Sequence, residues 1–162
     1  MLDALCFFCD YVENTDIKRD NKMINELAKK FLEICQSETA ENSEFVQQTI
    51  AYGFGVFALN LPKSQFGVFP QAVAVCKHIL SGEDAFDEDR IVCTESTLGA
   101  IAKIAYNHLD GKSISNGDFV GVLSRMPFTA FENENVSSHN LLIDQYLTPS
   151  SIVHNKQLLP AV

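Results

Sequence analysis

Tryptophan is absent from this chain of 162 residues, and positive charge is scarce, with 12 Lys and Arg against 21 Asp and Glu. The net charge of −9 and pI near 4.8 repel a nucleic-acid backbone or an anionic membrane surface on average. The partners this balance favours are basic or apolar, with no nucleic acid and no membrane among them.

Long apolar runs are also missing. Asp3, Asp10 and Glu13 interrupt the N-terminal one, and Lys77 and His78 the longest later one, so no stretch approaches the roughly 20 apolar residues of a spanning helix. The opening MLDALCFFCDYVEN carries acid where a signal peptide needs a basic region, and it lacks a small-residue cleavage site. A soluble, intracellular protein is expected.

Catalytic signatures are lacking too. No GxSxG, HExxH or phosphate-cradling Gly loop occurs, and His78, His108, His139 and His154 lie in separate segments. The one enzymatic alternative is a thiol hydrolase pairing Cys76 or Cys93 with a histidine; a non-enzyme without cofactor is the favoured expectation. Cys6, Cys9, Cys35, Cys76 and Cys93 are odd in number and set mostly among apolar residues, which suits reduced core thiols rather than a disulfide framework. Cys6 and Cys9 form a CxxC, but no second pair completes four ligands, and Phe7-Phe8 between them suits core packing, so no metal site is expected.

What the sequence does have is helical period almost throughout, with no strict alternation and no hairpin turn chemistry. The pattern predicts an all-α chain with helices at about 2–13, 18–37, 43–60, 66–81, 88–108, 116–125 and 135–147. Ser43 is placed to cap the third helix, Pro62 to follow it, Ser81-Gly82 to stop the fourth, and Asp110-Gly111 and Pro127 to close the next two. Two connections stand out by composition, the acidic EDAFDEDR over 83–90 and the polar stretch from Asn133 to Ser138.

One helix poses a problem. FVQQTIAYGFGVFALNL, Phe45 to Leu61, is strongly apolar yet carries Gly53 and Gly55, each costing a helix about 1 kcal/mol relative to alanine. A shift of about 45 residues lays Gln48 to Asn60 on Cys93 to Ala105 and aligns Gly55 with Ala100. A shift of about 134 lays Phe8 to Val12 on Leu142 to Tyr146, with Asp10 on Asp144. These spacings describe a helix pair repeated every 40 to 49 residues, as in HEAT repeats, where each pair buries its apolar face against its neighbours. The expected fold is therefore a HEAT-type α-α superhelix. Its inner helices lie near 2–13, 43–60, 88–108 and 135–147, and its outer helices near 18–37, 66–81 and 116–125. Gly53, Gly55 and Ala100 would let inner helices pack closely; the plainer alternative makes Gly53-Phe54-Gly55 a kink or helix break. The apolar segments at both ends, MLDALCFFCDYV and QLLPAV, suggest one run of about three to four repeats cut from a longer solenoid.

Several segments then resemble the importin-β (karyopherin-β) superfamily, most closely the C-terminal repeats of the importin 5 type. FLEICQSETAENSEFVQQTIAYGFGVFA, Phe31 to Ala58, is similar to the family's cysteine-and-acid helix followed by AYGxGV. TESTLGAIAKI (Thr94 to Ile104), VLSRMPF (Val122 to Phe128), LCFFCDYVE (Leu5 to Glu13) and LLPAV (Leu158 to Val162) resemble further family segments in order. The family's tryptophans are missing, and IVHNKQ (Ile152 to Gln157) stands where it has a VLGPNN-like turn. The resemblance implies a nuclear transport receptor of cytoplasm and nucleus, carrying cargo through the nuclear pore and releasing it to Ran-GTP, which binds repeats absent here. Phe-Gly nucleoporins are implied as further partners. A HEAT scaffold of the phosphatase or coat-adaptor type is the alternative.

The residues expected to attract basic cargo signals are the loop acids Glu83, Asp84, Asp87, Glu88 and Asp89, together with Asp10, Glu95 and Asp144 on inner helices. A negative field of this kind raises association rate and discriminates by charge; a simply solvated loop is the alternative.

Overall fold

The computed structural model describes residues 21–36, 43–61, 68–108, 114–130 and 132–147. The expected helix at 2–13, Asp10, Cys6, Cys9, Pro62, Asp110-Gly111 and the C-terminal QLLPAV lie outside the described residues. Six α-helices occur among those described: α1 Asn21–Cys35, α2 Glu44–Asn60, α3 Phe69–Leu80, α4 Ile91–His108, α5 Asn116–Leu123 and α6 Glu132–Leu147. A short 3-10 turn, Glu88–Arg90, leads into α4. The described residues contain no strand.

Local chemistry accounts for the helix limits. Ser43 Oγ accepts from the Val46 N–H at 3.5 Å, satisfying one of the first-turn donors that a helix leaves unpaired. Pro70 sits at the start of α3, where its missing N–H costs nothing. Lys77 and His78 occupy its last turn, complementing the carbonyl end of the helix dipole, and Ser81 caps it. Ser115 and Asp118 form a reciprocal capping box at the start of α5.

Two expected boundaries change. The stretch from Asn133 to Ser138 is part of α6 rather than a connection. It is polar and holds weak helix formers in Asn and Ser, but it contains neither Gly nor Pro, the two residues that oppose a helix interior most strongly. Residues 88–90 form the 3-10 turn, and α4 proper begins at Ile91.

Packing is organised around α4, which contacts α2, α3, α5 and α6, while α1 packs on α2 and α3. Almost every residue of α4 from Cys93 to Ala105 is buried. α2 is buried without interruption from Thr49 to Ala58, which explains why it reads as apolar on all sides rather than on one stripe. Buried hydroxyls in these two helices bond back to carbonyls one turn earlier: Thr49 to Phe45 at 2.9 Å, Ser96 to Val92 at 2.9 Å and Thr97 to Cys93 at 2.7 Å. No buried hydroxyl of these three is left unpaired.

The glycines of α2 sit at the two closest approaches. A Cβ at position 53 would fall on Phe31 Cε1 of α1 and lie 2.8 Å from its Cζ. A Cβ at position 55 would lie 2.9 Å from Lys103 Cδ and 3.3 Å from the Ala100 Cα of α4. The helix runs through both glycines without a break. Phe31, in turn, meets Phe57 edge-on at 5.1 Å between ring centroids and Phe54 at 6.1 Å, a favoured aromatic arrangement. The two glycines thus open one side of α2 to an aromatic ring and the other to a neighbouring backbone.

Lys103 is fully buried. Its stem passes over Gly55, and its ammonium lies 5.4 Å from the centroid of the Tyr52 ring, within cation–π range.

Candidate functional site

The loop between α3 and α4 begins at Ser81 and Gly82, both exposed, and Glu83, Asp84, Asp87, Glu88 and Asp89 are all exposed as well. Three β-turn-like contacts shape the loop, Ala85 N–H to the Gly82 carbonyl at 3.1 Å, Asp87 N–H to the Asp84 carbonyl at 3.0 Å and Arg90 N–H to the Asp87 carbonyl at 3.1 Å. Ala85 alone points inward, 1% exposed, and its carbonyl accepts from the buried Thr94 hydroxyl of α4. That inward residue fixes the loop to the helix behind it while the acids face solvent.

The acids are not equivalent. Arg90 Nη1 lies 2.9 Å from Asp84 Oδ2, and its Nη2 donates to Gln47 Oε1 of α2 at 2.6 Å. The guanidinium therefore ties the loop to α2. The hydrogen bond from Arg90 holds the Asp84 carboxyl below its ordinary value. Asp84 is partly neutralised by this pairing, so Glu83, Asp87, Glu88 and Asp89 form the more open part of the negative surface. Beside them, the Arg125 guanidinium stacks over the exposed Phe86 ring at 4.1 Å from its centroid, joining this loop to the segment that follows α5.

Glu95, expected among the cargo-binding acids, has a different position. It is 4% exposed, and both its oxygens are occupied: Oε1 accepts from Thr129 N–H at 2.7 Å and Oε2 from Ala130 N–H at 2.8 Å. A carboxylate clasping two backbone donors is a strong, charge-assisted anchor, and burial removes it from any external surface. Phe128, 1% exposed, is held in the same segment and stacks on His139 of α6 at 6.3 Å. Glu95 thus positions the connection between α5 and α6. Asp144 lies on the exposed side of α6 with Val136, Asn140 and Ile143, on a different element from the loop acids.

The thiols Cys35, Cys76 and Cys93 are free, Cys76 and Cys93 buried and Cys35 half-buried. Burial pushes Cys35 and Cys76 up to about 12. Burial also raises Cys93, with the neighbouring Arg90 opposing it. Near neutral pH these thiols are held protonated and weakly nucleophilic. No group of three His, Cys, Asp or Glu suited to a metal ion occurs among the described residues, and no helix among them is long and apolar enough to cross a membrane.

Sequence reasoning missed two features here. The Ser115–Asp118 box had a readable signal, Ser-x-x-Asp ahead of the apolar Phe119-Val120. The inward role of Glu95 had none, because its partners are backbone N–H groups 34 and 35 residues away. Comparison with protein-family models, with curated proteins and with solved structures finds no match to this chain.

Proposed function

We propose that this chain is a stacked-helix scaffold of the HEAT type that binds a basic protein partner, in the manner of the importin-β nuclear transport receptors that its sequence resembles. The stacking reading is supported by the helix-skipping contacts, α2 on α4 and α4 on α6, with α1 and α3 on one another. It is supported further by the approach of Gly55 to Ala100, one 45-residue period apart, since equivalent positions of successive repeats face each other in such an array.

The observation that carries the choice of partner is the loop over 83–90, with five exposed acids on a chain of net charge −9. A surface of this sign attracts Lys- and Arg-rich segments and repels acidic ones. Fluorescence anisotropy of a labelled Lys-rich nuclear-localisation peptide, at low and physiological salt with an acidic peptide as control, tests it. Saturable binding of the basic peptide alone, weakening with salt, is expected. Replacing Glu83, Asp84, Asp87, Glu88 and Asp89 by their amides should abolish it; binding that survives those changes overturns the loop as the contact surface, and no binding at low salt overturns the basic partner.

A further inference from the structure

Three Ser or Thr residues of the described segments carry an acid three positions downstream: Ser81 before Asp84, Ser115 before Asp118 and Thr129 before Glu132. Their surroundings separate them. The Ser115 hydroxyl donates to Asp118 Oδ2 at 2.8 Å and caps α5, and that carboxylate is also paired with Lys77 at 2.9 Å. Both the hydroxyl and the acid are engaged. Thr129 is also exposed, but its backbone N–H and that of Ala130 are both held by the buried Glu95, which keeps that segment from extending into a kinase groove.

Ser81 stands apart. It is exposed, as are Gly82, Glu83 and Asp84 after it, and the acids continue at Asp87, Glu88 and Asp89. Its hydroxyl makes a local bond to the His78 carbonyl at 2.7 Å, which a rotation about one side-chain bond releases. The Asp84 side chain stays 57% exposed while paired with Arg90, so a cationic groove can reach it.

We propose that Ser81 is a phosphoacceptor for a protein kinase whose cationic substrate groove reads acids on the C-terminal side of the hydroxyl. Ser81 Oγ attacks the γ-phosphorus of a nucleoside triphosphate supplied with the kinase. The bond from that phosphorus to the β–γ bridging oxygen breaks, the nucleoside diphosphate leaves, and the hydroxyl proton passes to the kinase's carboxylate base. The product carries about −1.5 to −2 additional charge at pH 7 at the carbonyl end of α3, where the helix dipole disfavours an anion, and beside acids that repel it. The last turn of α3 and the 81–84 turn therefore loosen on phosphorylation.

The test treats the whole chain with an acid-directed Ser/Thr kinase and MgATP, with a base-directed kinase in parallel, and maps phosphate by mass spectrometry. Phosphate at Ser81, with amide exchange accelerated at residues 81 to 84, is the expected result. Ser81→Ala should remove it, and the double change Glu83→Gln, Asp84→Asn, which keeps the hydroxyl, should slow it by about tenfold. Phosphate mapping to Ser115 or Thr129 instead, equal modification by the base-directed kinase, or no phosphate on a chain whose circular dichroism shows the helical fold would each overturn the proposal.

Discussion

Gly55 of α2 rests against Ala100 of α4, the space for a Cβ at 55 ending 3.3 Å from the Ala100 Cα and 2.9 Å from Lys103 Cδ. The glycine lets two buried helices approach at a point where any larger residue must push a backbone or a buried lysine stem aside. Gly55→Leu should destabilise the chain by about 1–3 kcal/mol through overpacking, read as a lower midpoint in urea with little change in slope. An unchanged midpoint would remove the packing role.

Gly53 makes a sharper case. Alanine is the better helix former by about 1 kcal/mol, yet its methyl at 53 would collide with the Phe31 ring. Gly53→Ala should therefore lower stability rather than raise it, and Phe31→Leu should cost less in the Gly53→Ala background than alone. A double-mutant cycle measures that coupling; additive effects would show that Phe31 does not set the requirement for glycine.

Glu95 provides two acceptor oxygens for two backbone donors. Glu95→Gln preserves the shape but turns one acceptor into an N–H₂, leaving a backbone donor without its partner, for a cost of about 1–3 kcal/mol. Hydrogen exchange at Thr129 and Ala130 should quicken in the variant more than exchange in α2. Equal acceleration everywhere would mean that the change is global rather than a release of this connection.

The stability of the chain should fall in acid partly through Asp118. Burial raises its carboxyl, but the hydrogen bonds from Lys77 and Ser115 outweigh burial and hold it below the ordinary 3.8. A depressed folded value contributes stability that is present above the unfolded value and is lost as pH falls through the folded one. The loss thus lies below about pH 4. Thermal melts over that range should be flatter for Asp118→Asn than for the parent chain, and an identical acid profile would discount the ion pair.

Alkylation offers a fifth check. With Cys35 and Cys76 at about 12, little thiolate exists at pH 8, so iodoacetamide should modify Cys35, Cys76 and Cys93 slowly in the native chain and rapidly in denaturant. Fast native labelling of Cys76, mapped by mass spectrometry, would contradict its burial.

The helices were legible because hydrophobic period and caps act locally: Ser43 marks the start of α2 and Ser81 the end of α3, and each signal lies within a few residues of the boundary it sets. The closeness of α2 and α4 was legible from Gly55 and Ala100, because small residues at matched positions have few other uses in buried helices. The individual roles of the acids were not legible. Glu95 and Glu83 are the same residue type, and only the tertiary arrangement sends one inward to backbone N–H groups and leaves the other in solvent. Lys103 shows the same limit in the opposite sign, a cation that reads as surface and is buried over Tyr52. The polar stretch at 133–138 misled because polarity signals exposure, and a helix with an exposed face can be as polar as a loop.

Thr94 and Glu95 are consecutive, yet one holds the loop before α4 through Ala85 and the other holds the segment after α5 through Thr129 and Ala130. A row of helices joined only by nearest-neighbour contacts can melt from one end, one unit at a time. Here a single turn of α4 is tied to chain on both sides of it, so the segments ahead of it and behind it are expected to exchange their amide hydrogens together rather than separately. Two adjacent side chains would then set the smallest piece of the fold that opens, and that piece would be larger than a single helix pair.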